Sequence, residues 1–498
     1  VEAFRKRPCD GDKDCAGCAG RSAWAPVSRR RFLTTTVGLT VATTLADLEF
    51  LDFAPEARGE IPRLTGGPRV KVVFIRPDKE PDVSWPGGNC DVPAQQALFS
   101  RTLQAAAREL GVTLEVRVEP LNKQADIAAY LDQLKQAPPD GLIVCAQSLV
   151  IWPTVSDLVA KRGDIPTIIY SHVSGFTEQL QLGRNLSKTF MAATPDVEWL
   201  ATAVRLFAAQ WRIRNSRILM LTKSGPEFVF QPWGTTVRPV DNARFQEEFK
   251  RVETSAEMRA VAAAYTKAAA RIVEPTREEI LDAAKNYFVC RRLMEVEQCH
   301  GITIACLGWK NPVCLAFSKL LDEGVAAVCE ADQNAIMSEL LSIHVFNRPG
   351  FIQDPSPNTV DNTFIGSHCT SPTRLDGYEN KQRASYWLRS YHTRTGCSLE
   401  VMWPVGHAVT VLQASAQTPL VLVGTGKVRG NISQPPTGCC RTAVELTMDN
   451  VADTRDVRGF HQLFIAGNHV HTLQAYGRLF DIRIENIAAP GKPAGGPA

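Results

Sequence analysis

GVAAVCEADQNAIMSELLSIHVFNRPGFIQD, residues Gly324 to Asp354, sets the reading of the whole chain. Val325 to Cys329 is a short apolar run of strand type that stops at a charged residue, Glu330, and not at a turn residue. A carboxylate at the carboxyl end of a strand in an open α/β sheet lies where such sheets bind ligands. Asp332 follows as a helix N-cap for a segment whose apolar positions Ala335, Ile336, Leu340 and Leu341 recur at helical spacing. That helix ends near Phe346. A helix of about 14 residues carries the chain roughly 21 Å, and the extended stretch NRPGFIQ returns over roughly 23 Å. Asp354 is thereby able to come back beside Glu330.

The alternation that contains this stretch begins well before it. Arg69 to Arg76 reads as a buried strand, Pro93 to Leu110 as a helix stopped by Gly111, and Leu114 to Val118 as a strand. A helix at Ala125 to Gln136, a strand at Gly141 to Ala146, a helix at Thr154 to Lys161 and a strand at Thr167 to Tyr170 continue the series. After a long helix, Val197 to Trp211, come a strand at Arg217 to Leu221, helices within Asn242 to Glu297, and strands at Ile302 to Leu307 and Val325 to Cys329 around a helix at Leu315 to Leu321. Alternating strands and helices predict parallel sheets covered on both faces. From Pro355 the texture changes to strands separated by turns: Thr363 to Cys369, Ser398 to Trp403, Ala408 to Gln413, Leu420 to Gly424, Ala443 to Met448 and Gln462 to Ala466.

The fold class predicted is therefore α/β, two doubly wound parallel-sheet domains followed by a C-terminal β-barrel-like domain. The boundaries are 1–67 for a signal and linker, 68–211 for the first α/β domain, 212–354 for the second and 355–498 for the β-rich domain. At 498 residues the chain exceeds what one core fills. No glycine-rich phosphate loop follows the first strand. VGTGKVRG, Val423 to Gly430, matches neither the dinucleotide nor the nucleotide-triphosphate pattern and reads as a hairpin.

Charge restricts the partners. The formal net charge of +3 is concentrated at the start, where residues 1–31 contribute +4 from eight Lys/Arg against four Asp/Glu, leaving −1 for the rest. A nearly neutral body offers no nucleic-acid face. Ser28, Arg29, Arg30, Arg31, Phe32 and Leu33, followed by a mildly apolar Thr-rich run to Ala46, resemble a twin-arginine export signal. The expectation is a protein that folds in the cytoplasm, meets the twin-arginine translocation machinery and is exported to the periplasm or the extracellular space. The 14 cysteines do not form a small-domain disulfide scaffold. Cys145, Cys306 and Cys329 sit in apolar runs as buried thiols, and Cys9, Cys15 and Cys18 form a cluster without a fourth ligand nearby.

None of the nine histidines precedes His172, and His461, His469 and His471 crowd the C-terminal end. With them in view, residues 300 to 487 resemble the L-fucose isomerase and L-arabinose isomerase superfamily. The pieces that carry the resemblance are CLGWKNPVCLAFSKLLDEGVAAVCEAD (306–332), RPGFIQD (348–354), GSHCTSPTRLDG (366–377) and FHQLFIAGNHVHTLQAYGRLFDIRI (460–484). The resemblance implies that Glu330 and Asp354 are metal ligands and also catalytic acid/base groups. It implies that His469, in an Asn-His pair ahead of Tyr476-Gly477, is the third ligand, with His461 and His471 as alternatives, and that His368 corresponds to a further metal-binding histidine of the arabinose branch.

On this resemblance the chain is a metal-dependent aldose–ketose isomerase-like protein, acting on a pentose or deoxyhexose through an ene-diol intermediate. The cofactor implied is Mn²⁺, with Mg²⁺ or Co²⁺ as alternatives. The partners implied are a small-molecule sugar and further copies of the chain in a homo-oligomer. A competing reading from a different class is an exported, non-catalytic sugar-binding protein built on two α/β lobes, which would need no metal.

Overall fold

The computed structural model describes residues 60–488 apart from 80–84, 86–89, 173–174, 182–184, 393 and 435–438. All of them fall in one compact unit, Phe53–Ala498. The twin-arginine-like segment and the Cys9, Cys15, Cys18 cluster lie outside the described residues. The fold is mixed α/β, with a parallel sheet near the start and a curled antiparallel sheet on the C-terminal side.

The first sheet contains β1 (Arg69–Ile75), β2 (Thr113–Val116), β3 (Gly141–Ala146), β4 (Thr167–Ser171) and β5 (Thr189–Ala193), in the order β2-β1-β3-β4-β5. All its pairings are parallel. Side chains alternate across a strand, and β1 divides accordingly: Val70, Val72 and Phe74 enter one core while Val73 and Ile75 enter another on the opposite face. The helix Val92–Leu110 starts where Asp91 accepts from Ala94 N–H and ends at Gly111 in the left-handed conformation, a conformation glycine adopts at little cost.

The second sheet, ordered β11-β10-β6-β8-β7, contains β6 (Arg217–Thr222), β7 (Phe228–Phe230), β8 (Thr235–Asp241), β10 (Gly301–Ile304) and β11 (Ala327–Cys329). It is parallel except for the β7–β8 pair. The two-residue β9 (Arg271–Ile272) joins β15 (Tyr386–Arg389) and β16 (Ser398–Val401) in a small separate sheet.

The third sheet runs β12 (Phe351–Ile352), β20 (Leu463–Ala466), β17 (Ala408–Ala414), β18 (Leu420–Asn431), β19 (Thr442–Met448), β14 (Thr363–His368) and β13 (Asp354–Asn358), with β21 (Arg483–Asn486) paired to β18. Its two end strands, β12 and β13, are successive pieces of one extended stretch separated only by Gln353. That stretch pairs with β20 through its first half and with β14 through its second. Pro355 and Pro357 fall in β13, an end strand that tolerates missing N–H donors.

Two local expectations are corrected. VGTGKVRG is not a hairpin but part of the continuous twelve-residue β18, with an irregularity between Val428 and Gly430 that absorbs the glycines. The C-terminal region is not all β, since Val470–Phe480 is a helix burying Leu473, Ala475, Tyr476 and Leu479. Its spacing of apolar residues is helical, and the histidines at its start obscure that periodicity.

The helix Gln333–Phe346 is buried along almost its whole length. Glu339 lies inside it, 1 % exposed, accepting from Gly350 N–H at 2.9 Å. Burial pushes this carboxyl up to about 8, against the pull of that N–H. A folded-state value above the unfolded one means that the stability associated with Glu339 is fully present below the unfolded value and is lost as pH rises through the folded one. Glu339→Gln keeps the acceptor and the shape with no charge to bury. It should leave stability nearly unchanged near pH 4 and raise it by on the order of 2–4 kcal/mol near pH 8. Denaturant titrations at the two pH values check this, and a pH-independent difference would contradict it.

Candidate metal centre

Strand pairing assembles the site. In the antiparallel β12–β20 pair, Phe351 faces Phe464 and Ile352 faces Leu463. The register continues one step past the strands, with Gln353 N–H donating to Gln462 O at 3.1 Å and the two side chains hydrogen-bonded at 2.7 Å. The next step sets Asp354 beside His461. On its other edge Asp354 pairs with Ser367, the residue before His368. One carboxylate is thus held between two histidines from strands far apart in sequence. Glu330 arrives from the end of β11 in the second sheet, as its position after Cys329 predicts.

Glu330, His368 and His461 each offer one ligand atom, and these atoms all lie within 4.8 Å of one another. Glu330 Oε1 is 3.7 Å from His368 Nε2, and Glu330 Oε2 is 3.6 Å from His461 Nε2. The two imidazoles stand nearly perpendicular, at 84° with centroids 5.8 Å apart. His461 Nε2–H donates to Asp354 Oδ1 at 3.1 Å, and its Nδ1–H donates to Asp332 Oδ2 at 3.0 Å. Asp332 therefore has two tasks. Its other oxygen accepts from Ala335 N–H at 2.7 Å as the helix cap read from the sequence, while Oδ2 fixes the histidine ring.

Backbone strain marks the same residues. Glu330, Ala331 and His461 have φ of 65°, 54° and 55°, a left-handed region costing non-glycine residues about 1–3 kcal/mol each. Such strain persists only where the surroundings over-determine it. Here those surroundings are a buried histidine and a cluster of carboxylates.

Burial works against ionised groups at this site, but hydrogen bonding outweighs it. Although burial pulls His461 down, the bonds to Asp332 and Asp354 raise it to about 9. Burial likewise opposes ionisation of Asp332 and Asp354, yet the bond from His461 holds both carboxyls below their ordinary value. Without a metal, the centre of charge is an imidazolium clamped by two carboxylates.

His368 supplies the test of fit to a cation. Its Nδ1 is 3.2 Å from Thr370 Oγ1, whereas its Nε2 is buried with no hydrogen-bond partner among the described residues. An unpartnered buried ring nitrogen aimed at a carboxylate costs about 1–3 kcal/mol, and a cation between them removes that cost. Oxygen and imidazole donors with a carboxylate behind one imidazole are the usual composition of such a centre. The residues present fit a divalent metal.

His469 is not in this group. It stands at the start of the helix Val470–Phe480, its Nε2–H donating to Ala466 O at 2.9 Å and its ring stacked on Phe346 at 4.7 Å. Burial pushes it down to about 4. In place of His469 the group holds His461, the alternative named for it, and His368 beside Glu330, with Asp354 hydrogen-bonded to His461, and the His469 ring is turned back on its own loop. His471 points to Gln474 on the outer side of that helix. His392, which the sequence reading passed over, lies within electrostatic reach of Glu330, Asp354 and His368. Its chain context, a turn after β15, gives no spacing by which it could have been found.

No family model and no curated protein matches the chain. Among solved structures, a carbohydrate transporter from Acidothermus cellulolyticus 11B in complex with myo-inositol is similar at 12% identity over 56% of this chain and 88% of that one, with a TM-score of 0.16. A likeness of that size carries no argument about fold, ligand or chemistry.

Proposed function

We propose that the chain is a divalent-metal-dependent aldose–ketose isomerase of the L-fucose and L-arabinose isomerase type, acting on a pentose or deoxyhexose. The observation that carries this reading is the set of ligand atoms of Glu330, His368 and His461 within 4.8 Å of one another, with Asp354 alongside. On this reading the first two sheets are doubly wound domains and the third is a C-terminal barrel-like domain. The metal favoured is Mn²⁺, with Mg²⁺ or Co²⁺ as alternatives: the carboxylate oxygens of Glu330 and Asp354 suit Mn²⁺ and Mg²⁺, and the two imidazoles draw the choice toward the transition ions.

Held by Glu330, His368 and His461, such an ion would supply Lewis acidity toward the oxygens of a bound sugar. The chain's residues do the rest. Asp332 holds the His461 ring through Nδ1, and Thr370 orients the His368 ring. Asp354, with 39% of its side chain exposed against 24% for Glu330, is the more open carboxylate and the one able to meet a sugar C–H or O–H. A carboxylate held ionised is a base that accepts the proton from the carbon beside the carbonyl and returns it to the neighbouring carbon. Glu330 serves as ligand and as the acceptor for the hydroxyl proton.

Metal analysis of protein folded in the cytoplasm tests the reading, followed by a screen of pentoses and deoxyhexoses. About one Mn²⁺ or Co²⁺ per chain and interconversion of one aldose–ketose pair are expected. Absence of both a bound metal and any isomerisation would overturn it.

Export is part of the proposal, resting on the Ser28–Leu33 motif. No helix among the described residues is long and apolar enough to cross a membrane. Replacing Arg29 and Arg30 together by Lys should retain the protein in the cytoplasm with its fold unchanged. Fractionation of cells expressing each form measures this, and equal export would contradict it.

A further inference from the structure

Gly459, Phe460 and His461 form a turn that sends neighbouring side chains in opposite directions. His461 is 2 % exposed and hydrogen-bonds to Asp332 and Asp354. Phe460 is 54 % exposed, with its ring centroid 4.1 Å from that of His461. Single exposed apolar side chains are ordinary on a protein surface. Two observations set Phe460 apart.

The first is how firmly it is held. Gly459 has φ of 96° and His461 φ of 55°, and a Cβ at Gly459 would run into Gln413 Oε1. Gln462, fully buried, donates through Nε2 to Arg458 O and to Gly459 O, both at 2.9 Å. Gln413 Nε2–H donates to Phe460 O. Each carbonyl from Arg458 to Phe460 is thus held by a side-chain amide. Surroundings that over-determine a turn in this way are what let a non-glycine residue keep a positive φ. Folding gains little from the ring so fixed, because it stays open to water.

The second is its place. Glu330, Asp354, His368 and His461 offer oxygen and nitrogen atoms, which meet hydroxyls or a cation. A monosaccharide also has a face of C–H groups, which carboxylate oxygens and ring nitrogens do not match. The face of an aromatic ring carries the negative part of its quadrupole. C–H groups on oxygen-bearing carbons carry partial positive charge, so the two attract while burying apolar surface. Binding sites for small molecules combine a few placed polar groups with aromatic side chains in this way.

We propose that Phe460 is the platform on which the C–H face of the substrate sugar stacks. This rests on the isomerase reading above and adds to it a residue that positions the substrate. A sugar whose oxygens lie at the Glu330–His461 pair, 3.6 Å apart, has the Phe460 ring beside it, one ring contact away.

The test loads the full chain with Mg²⁺, which is diamagnetic, and titrates it with L-fucose and L-arabinose, followed by calorimetry and by proton NMR of the sugar. The wild type should bind at least one of the two, with C–H resonances of the bound sugar moved upfield by the ring current. Phe460→Ala should weaken that sugar about tenfold, the scale of one lost aromatic contact, and abolish the upfield shift. Its Mg²⁺ affinity should stay within about threefold of the wild type, since Phe460 offers a metal no ligand atom. Phe460→Tyr keeps the ring and should restore affinity and shift together. Phe460→Leu keeps apolar bulk without the ring and should lose the shift. Wild-type sugar affinity and shift in Phe460→Ala would overturn the proposal and leave the isomerase reading intact. So would a loss of Mg²⁺ affinity matching the loss of sugar affinity, because the ring would then act only through His461. A wild type that binds neither sugar fails at the isomerase reading itself and removes the platform with it.

Discussion

Glu330→Gln should weaken divalent-metal binding at least about 100-fold and reduce isomerisation by about three orders of magnitude, while the protein stays folded. The substitution keeps volume and one oxygen but removes the charge that faces both His368 Nε2 and His461 Nε2, at 3.7 and 3.6 Å. Changes merely adjacent to a metal centre already cost about 10–100-fold in affinity, and a direct ligand should cost more. Loss of proton transfer on top of this removes a further factor in the usual range of about 10²–10⁴. Folding should be spared, since Glu330 is partly exposed and follows a strand whose pairing does not involve its side chain. His469→Ala is the informative contrast. It removes a ring stacked on Phe346 and bonded to Ala466 O, so it should lower stability and leave metal affinity within about threefold. Isothermal titration with Mn²⁺ and thermal denaturation on both variants separate the two outcomes. Retained binding in Glu330→Gln, or its loss in a folded His469→Ala, would move the centre away from the Glu330 cluster.

That contrast also shows how far the sequence could be read. The strand–helix alternation, the carboxylate closing β11 and the cap at Asp332 are local patterns, and local patterns survive without a structure. The return of Asp354 was accessible as a distance. Its neighbours were not, because they depend on the register of Phe351–Gln353 against Gln462–Phe464, a pairing between segments more than a hundred positions apart that no periodicity encodes. The order of preference among the histidines, His469 ahead of His461, differs from the grouping in the structure for a related reason. His469 sits in a motif resembling the isomerase pattern, but the helix that begins beside it re-aims its ring. His461 precedes a strand without any motif of its own, and its left-handed backbone turns it toward Asp354. Asp332 was read as a cap, which it is, and its second oxygen showed its role only once His461 was in place.

The pH dependence of metal binding should identify His461 as the ligand that must lose a proton. Without metal its imidazole is raised to about 9 by the hydrogen bonds to Asp332 and Asp354, which outweigh burial. A cation takes only the unprotonated Nε2, so at pH 7 binding must release about one proton from this ring. Affinity should rise about tenfold per pH unit up to about 9 and then level. Asp332→Asn isolates the cause. Asparagine caps a helix as well as aspartate does, so the bond to Ala335 N–H and the helix Gln333–Phe346 should persist. Removing one of the two charges clamping the ring brings His461 back toward the ordinary histidine value near 6.5, which makes proton release at pH 7 fractional and moves the levelling point down. Above pH 9, where protonation no longer competes, the variant should bind about 10–100-fold more weakly than the wild type, because the ring has lost the carboxylate that orients it and increases its basicity. Titrations with Mn²⁺ in buffers of different ionisation enthalpy count the protons directly. A count of zero at pH 7 in the wild type would mean that His461 does not ligate the metal, and a count unchanged in Asp332→Asn would mean that Asp332 does not govern it.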